Sequence, residues 1–127
     1  LLPNIDQAGS PTYWSLSDNT ENNRVTLRAA SAGDDVATLT ITAATAAQAA
    51  VLATTDLWNN AWNKLRGIWG PNDARVLVAG TQEGTQDTSV TVPSVNQLDV
   101  GAYLSAGQEL NGLLSNVRIL GKNTVKY

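Results

Sequence analysis

Apolar and polar residues trade places along most of this chain. Over Tyr13-Trp14-Ser15-Leu16-Ser17 the alternation is regular, and Arg24-Val25-Thr26-Leu27-Arg28 repeats it, with Val25 and Leu27 on one side and Arg24, Thr26 and Arg28 on the other. A period of two predicts half-buried β-strands at both places. Val36 to Thr42, rich in Thr and β-branched residues, predicts the next strand. Short apolar runs closed by turn residues continue at Trp62–Trp69, Arg75–Ala79, Val90–Pro93, Gln97–Gly101 and Leu110–Leu120, the signal for successive antiparallel strands. In the last run the apolar spacing slips from three, Leu114 to Val117, to two, Val117 to Ile119, which predicts a β-bulge.

The connections carry their own signals. Asp18 to Asn23 is an Asn/Asp-rich loop, Ser31 to Asp35 a hairpin-like turn centred on Gly33-Asp34, and the Thr/Gln/Gly stretch after Gly80 a loop. Gly70-Pro71-Asn72-Asp73 is a tight turn whose proline pre-sets the backbone angle at its second position. Ala43 to Thr54 has the best helix-forming composition in the chain, yet no Glu or Lys to solvate a helix face and no capping box. With strands on both sides it reads as a strand of small residues, with room for one short helical turn. The expected fold is all-β, a two-sheet antiparallel sandwich. Residues 1–12 form a lead-in or edge segment, 13–121 the sandwich, and 122–127 a tail or edge strand.

Composition sharpens this picture. The 127 residues suffice for one domain with a single core. Aromatics are only 6% and Phe is absent, so the core must come from Val, Leu, Ile and Ala plus a few tryptophans; Trp14, Trp62 and Trp69 are expected inside it. Charged residues are 15%, and Thr, Ser, Asn and Gln supply the polarity instead, as on extracellular or virion β surfaces. The net charge of −3 and the scatter of eight basic residues leave no patch for nucleic acid or for anionic membranes. With no Cys there is no disulfide or thiolate metal site. With no His, the commonest general base and metal ligand is missing. A chain that starts at Leu1-Leu2-Pro3 and contains no Met reads as a fragment, a processed product or the ordered part of something longer.

The order of motifs has a familiar look. A Trp-led strand is followed by a Gly/Asn/Asp turn, by Arg75-Val76-Leu77-Val78-Ala79-Gly80, by Leu98-Asp99-Val100-Gly101 and by Leu110-Asn111-Gly112-Leu113-Leu114-Ser115-Asn116-Val117-Arg118-Ile119-Leu120. This resembles the C-terminal half of concanavalin A-like (laminin-G-like) domains. Ser15-Leu16-Ser17-Asp18 followed by Asn23-Arg24-Val25-Thr26-Leu27-Arg28 is similar to the first half of such modules in bacteriophage virion proteins. The likeness spans residues 13 to 121. Ala79 stands where the family has Asn before the glycine, and the N-terminal strand that pairs with the closing strand is weak, so Leu1–Ile5 or another subunit is expected to complete a sheet. The resemblance implies a jelly-roll sandwich, a virion setting and a homotrimer. The expected function is then a non-catalytic structural or binding module, decorating a capsid or belonging to a tail fibre or spike, in contact with other virion proteins.

Candidate chemistry is sparse. Glycosidases need two carboxylates across a scissile bond, but Glu21, Glu83 and Glu109 each fall in a predicted loop, and the neighbours Asp34 and Asp35 point to opposite sides. No Gly-x-Ser-x-Gly elbow occurs. No enzyme activity, cofactor or metal is expected. Asp18 to Asn23 offers oxygen ligands for calcium, but a solvated hairpin loop explains the same residues and the EF-hand spacing is absent. The alternative function is carbohydrate binding to a host surface glycan. Its candidate contacts are Trp58 with Asn59 and Asn60, and Tyr103, residues that serve equally well as core or subunit contacts. Arg118 is expected to point outward. Low charge and Thr/Ala/Val-rich faces leave the sheet edges unprotected, which favours self-association.

Overall fold

Two antiparallel sheets face each other, and no helix occurs among the described residues. The computed structural model describes residues 2–3, 11–30, 36–57, 61–102, 110 and 112–120. Its strands are β1 (Leu2–Pro3), β2 (Thr12–Ser17), β3 (Arg24–Ala29), β4 (Val36–Ala43), β5 (Ala46–Asp56), β6 (Leu65–Gly70), β7 (Asp73–Val78), β8 (Thr81–Asp87), β9 (Gln97–Val100) and β10 (Gly112–Leu113). The larger sheet has the order β5-β4-β3-β2-β9 and the smaller β6-β7-β8, while β1 and β10 make a separate two-stranded ribbon. The fold is therefore the expected two-sheet sandwich.

Register explains the core. Trp14 lies opposite Leu27, Leu27 opposite Leu39, and Leu39 opposite Val51; one step along, Leu16, Val25, Ile41 and Ala49 form a parallel row. Because side chains alternate across a strand, both rows point to the same face. The smaller sheet meets that face with Ala74, Val76 and Val78, all buried. Tyr13 and Trp14 supply the large core rings, and the Trp14 ring stands 5.4 Å from that of Trp69, tilted by 42°. A side chain at Gly67 would meet Leu39 at 3.0 Å and the Trp14 ring at 3.3 Å, so glycine lets β6 come this close.

The turns use unexpected residues. The β4–β5 hairpin turns on Ala44 and Thr45, both with positive φ (48° and 70°), and β7–β8 turns on Ala79 and Gly80 (51° and 90°). Two successive positive φ values suit the right-handed twist of a hairpin, a role Asn-Gly ordinarily fills. At the first turn, Asn23 Oδ1 accepts the Ala44 N–H at 3.0 Å and the Asn22 carbonyl accepts that of Thr45, tying the 18–23 loop to the hairpin. Pro71-Asn72 forms the β6–β7 turn as expected, with Asn72 at φ 56°.

Several expectations are corrected. The stretch after Gly80 is a strand, β8, not a loop. It has no apolar alternation; pairing with β7 and contact with β5 impose the extended form. Glu83 therefore sits on a strand. Val90–Pro93 is not a strand: Val90 and Pro93 are buried as anchors of the crossing from β8 to β9. The long closing strand over 110–120 reduces to the two residues of β10, and Asn116 takes φ 55°, interrupting the extended backbone where a bulge was expected. The strand expected from Trp62 begins at Leu65, and Trp62 is 58% exposed rather than core. Ala43–Thr54 is not one strand: Ala43 ends β4, Ala44 and Thr45 form the hairpin turn, and Ala46–Thr54 belong to β5, with no helical turn. The Ser31–Asp35 turn and the tail from residue 122 lie outside the described residues.

Candidate functional site

The described carboxylates are occupied by the fold. In the 18–23 loop, Asp18 Oδ1 accepts the Thr20 N–H at 3.0 Å and the Thr20 hydroxyl, and Oδ2 accepts the Asn23 amide at 2.8 Å. The Thr20 hydroxyl and the Asn23 amide, aided by the Thr20 N–H, hold Asp18 below the usual carboxylate range. Both oxygens calcium would need thus already serve the turn, and Glu21 lies 3.6 Å from Arg24. Asp73 makes a two-pronged pair with Arg75, 2.8 Å at each contact, and accepts the Gln86 amide. Asp87 accepts the N–H and hydroxyl of Ser89, which pull it down.

Glu83 is the most engaged. Burial pushes its carboxyl up, but the Thr55 hydroxyl and the N–H groups of Thr54 and Thr55 outweigh that, and the net displacement is downward. A general acid needs a carboxyl raised toward the working pH, and these three move the other way. Among the described residues no group of three or more Asp or Glu is placed to hold a metal ion. No helix there is long and apolar enough to cross a membrane.

The outer face of the larger sheet has a different character. Ser15, Ser17, Thr26 and Thr38 are buried on it, and the hydroxyls of Thr12, Ser15, Thr26 and Thr38 have no hydrogen-bond partner; neither has Arg28 Nε. Burial, and then the nearby Arg24, lower the affinity of Arg28 for its proton, though a guanidinium remains a cation. These groups lie beneath the surface, so they shape the interior rather than greet a ligand.

What the surface does present is an open edge. The sandwich is closed where β8 approaches β5: a side chain on Gly84 (φ 70°) would stand 2.0 Å from the Leu52 carbonyl oxygen. Toward the other side, Trp69 and Gly67 of β6 reach as far as Trp14 of β2. β9 extends the larger sheet one strand further. Leu98 lies opposite Leu16 and Val100 opposite Trp14, so both point to the inner face, yet they are 46% and 47% exposed. An inner-face row left uncovered is where another surface gains most by docking.

Near this edge the chain also holds a segment without a partner strand. Residues 114–120 belong to no ladder. Val117, Ile119 and Leu120 are exposed, and Arg118 points to solvent as expected. Trp58, Asn59, Asn60 and Tyr103, the expected glycan or partner contacts, lie outside the described residues, as do Asp34, Asp35 and Glu109. Leu98 and Val100 escaped notice in the sequence because an apolar alternation reads as core wherever it falls. Only the strand order reveals that one end of the row lacks cover.

Comparison with protein-family models, with curated proteins and with solved structures finds no match to this chain.

Proposed function

We propose that this chain is a non-catalytic β-sandwich module of a bacteriophage virion, a capsid decoration or part of a tail fibre or spike, and that it works by contact with other proteins, its own copies included. The observation that carries the contact reading is the half-exposed inner-face row at β9, Leu98 and Val100. The engagement of Asp18, Glu83 and Asp87 in hydrogen bonds that hold the fold supports a non-catalytic role. The virion setting draws on the likeness of residues 13–121 to laminin-G-like phage modules and on the low charge of the chain. Mass photometry at increasing concentration tests the reading. An oligomer is expected, the trimer being the state the likeness implies, and a monomer throughout the range overturns it. Immunogold labelling of intact particles then tests the location.

A second reading, binding of a host glycan, draws on the exposed indole of Trp62, since aromatic faces stack on sugar rings. A glycan array with wild type and Trp62→Ala decides it: no binding by wild type removes it.

A further inference from the structure

We propose that residues 117–120 of one copy add as a strand to the free edge of β9 in a second copy. This rests on reading the chain as a contact-making module and names the surface that does the work. β9 pairs with β2 on one side only, and no strand among the described residues pairs with its other side. A free edge offers a row of backbone donors and acceptors to any extended segment. The donor has the matching pattern. β9 runs Gln97-Leu98-Asp99-Val100, with Leu98 and Val100 inward and Asp99 outward. The segment runs Val117-Arg118-Ile119-Leu120, with apolar residues on either side of an arginine.

An antiparallel pairing sets Val117 opposite Val100, Arg118 opposite Asp99, Ile119 opposite Leu98 and Leu120 opposite Gln97. The rows Trp14–Val100 and Leu16–Leu98 then each gain an aliphatic neighbour, and four residues half-exposed in one chain cover one another. Across the outer face Arg118 meets Asp99, whose carboxylate has only the Gln97 amide as hydrogen-bond partner among the described residues. A shift by one residue would put Arg118 beside Leu98 or Val100, so charge and pattern choose one register.

Within one chain, residues 114–120 do not pair with their own β9. The Leu110 N–H is held by the Gly101 carbonyl at 2.9 Å, and Gly112–Leu113 then pair with Leu2–Pro3 in the separate ribbon. Leu114 still packs against the core, and 115–120 continue exposed and in no ladder. One donor and one acceptor per chain allow either a reciprocal pair or a closed ring.

The absence of Cys makes the test direct. One preparation carries Gln97→Cys and another Leu120→Cys, both at positions outside the core. Opposed residues lie within disulfide reach, so oxidation of the mixture is expected to give a covalent heterodimer well above the homodimer of either alone. A chain carrying both substitutions that closes on itself as a monomer, with no heterodimer in the mixture, overturns the proposal. Arg118→Asp alone is expected to weaken self-association about tenfold or more, and Asp99→Arg with Arg118→Asp to restore it. Failure of the double variant to recover counts against this register. If wild type is an oligomer yet gives no cross-link, this surface is wrong and the contact reading stands; if wild type is a monomer, both fall.

Discussion

Glu83 of β8 grips Thr55 of β5 twice: Oε2 accepts the Thr55 N–H at 2.9 Å while Oε1 accepts its hydroxyl. Oε2 also takes the N–H of Thr54 at 2.7 Å. One carboxylate thus satisfies backbone donors on the edge of the larger sheet from a strand of the smaller one, which backbone pairing alone does not do here.

This clamp makes stability depend on pH in a defined sense. The Glu83 carboxyl lies below its ordinary value of 4.5 when folded. Its contribution is full above the unfolded value and is lost as pH falls through the folded one. Glu83→Gln is expected to cost about 1–2 kcal/mol near neutrality, the lower end reflecting its partial contact with solvent. The difference in melting temperature between wild type and variant should shrink as pH drops below about 4.5. A difference that stays constant down to strong acid would show that the charge contributes nothing.

Gly84 sets how near the two sheets can come at that edge. An added methyl there meets the Leu52 carbonyl oxygen at 2.0 Å, whereas at Gly80, also left-handed, nothing lies within 4 Å. Gly80→Ala is expected to cost about 1 kcal/mol from backbone conformation alone. Gly84→Ala adds displacement of a strand and should cost roughly 2–4 kcal/mol. Urea unfolding of the two variants measures the gap, and equal midpoints would refute the close approach.

The hairpin turns hold a reserve of stability. Ala44, Thr45 and Ala79 occupy left-handed conformations that Asn or Gly adopts with less strain. Their N–H bonds to Asn23, Asn22 and Lys64 belong to the backbone and survive substitution. Ala44→Asn with Thr45→Gly, and independently Ala79→Asn, should each raise stability by about 0.5–2 kcal/mol. Differential scanning calorimetry reads this as a higher melting temperature.

The hydroxyl of Thr26 is buried without a partner, opposite Ser15 and Thr40 on neighbouring strands. Replacing it with the similarly shaped Val removes a desolvated polar group, so Thr26→Val should be neutral or stabilising by about 1 kcal/mol. A marked loss in chemical denaturation would mean that the hydroxyl is satisfied in solution, for instance by a bound water.

The strands with period two, β2, β3 and β4, were legible because their apolar side faces the core and their polar side does not. β5 was legible through its neighbours more than through its alanines. β8 was hidden: Thr81, Gln82, Gly84, Thr85 and Gln86 are exposed, so no pattern marks it, and three of its residues, 84–86, oppose Arg75 alone in an irregular register. In 110–120 the pattern of a strand was present, but a pattern cannot say which edge, or whose, will receive it. The same limit applies to Leu98 and Val100, whose exposure follows from the smaller sheet being narrower than the larger. Trp62 misled because a scarcity of aromatics suggests that each is needed inside, whereas Tyr13 and Trp14, with Trp69 against them, already fill the space.

The unequal widths of the two sheets also set a gradient of local opening. β3 and β4 have a strand on each side and an inward row with almost no solvent contact, so their amides should exchange with deuterium only when the whole domain unfolds. The amides of Gln97 to Val100, paired on one side only among the described residues and with a half-exposed inward row, should exchange through a far smaller fluctuation. The isolated chain is thus expected to fray first along the same margin that another molecule would grasp, and whatever docks there should slow exchange in Gln97–Val100 while leaving β3 and β4 as they were.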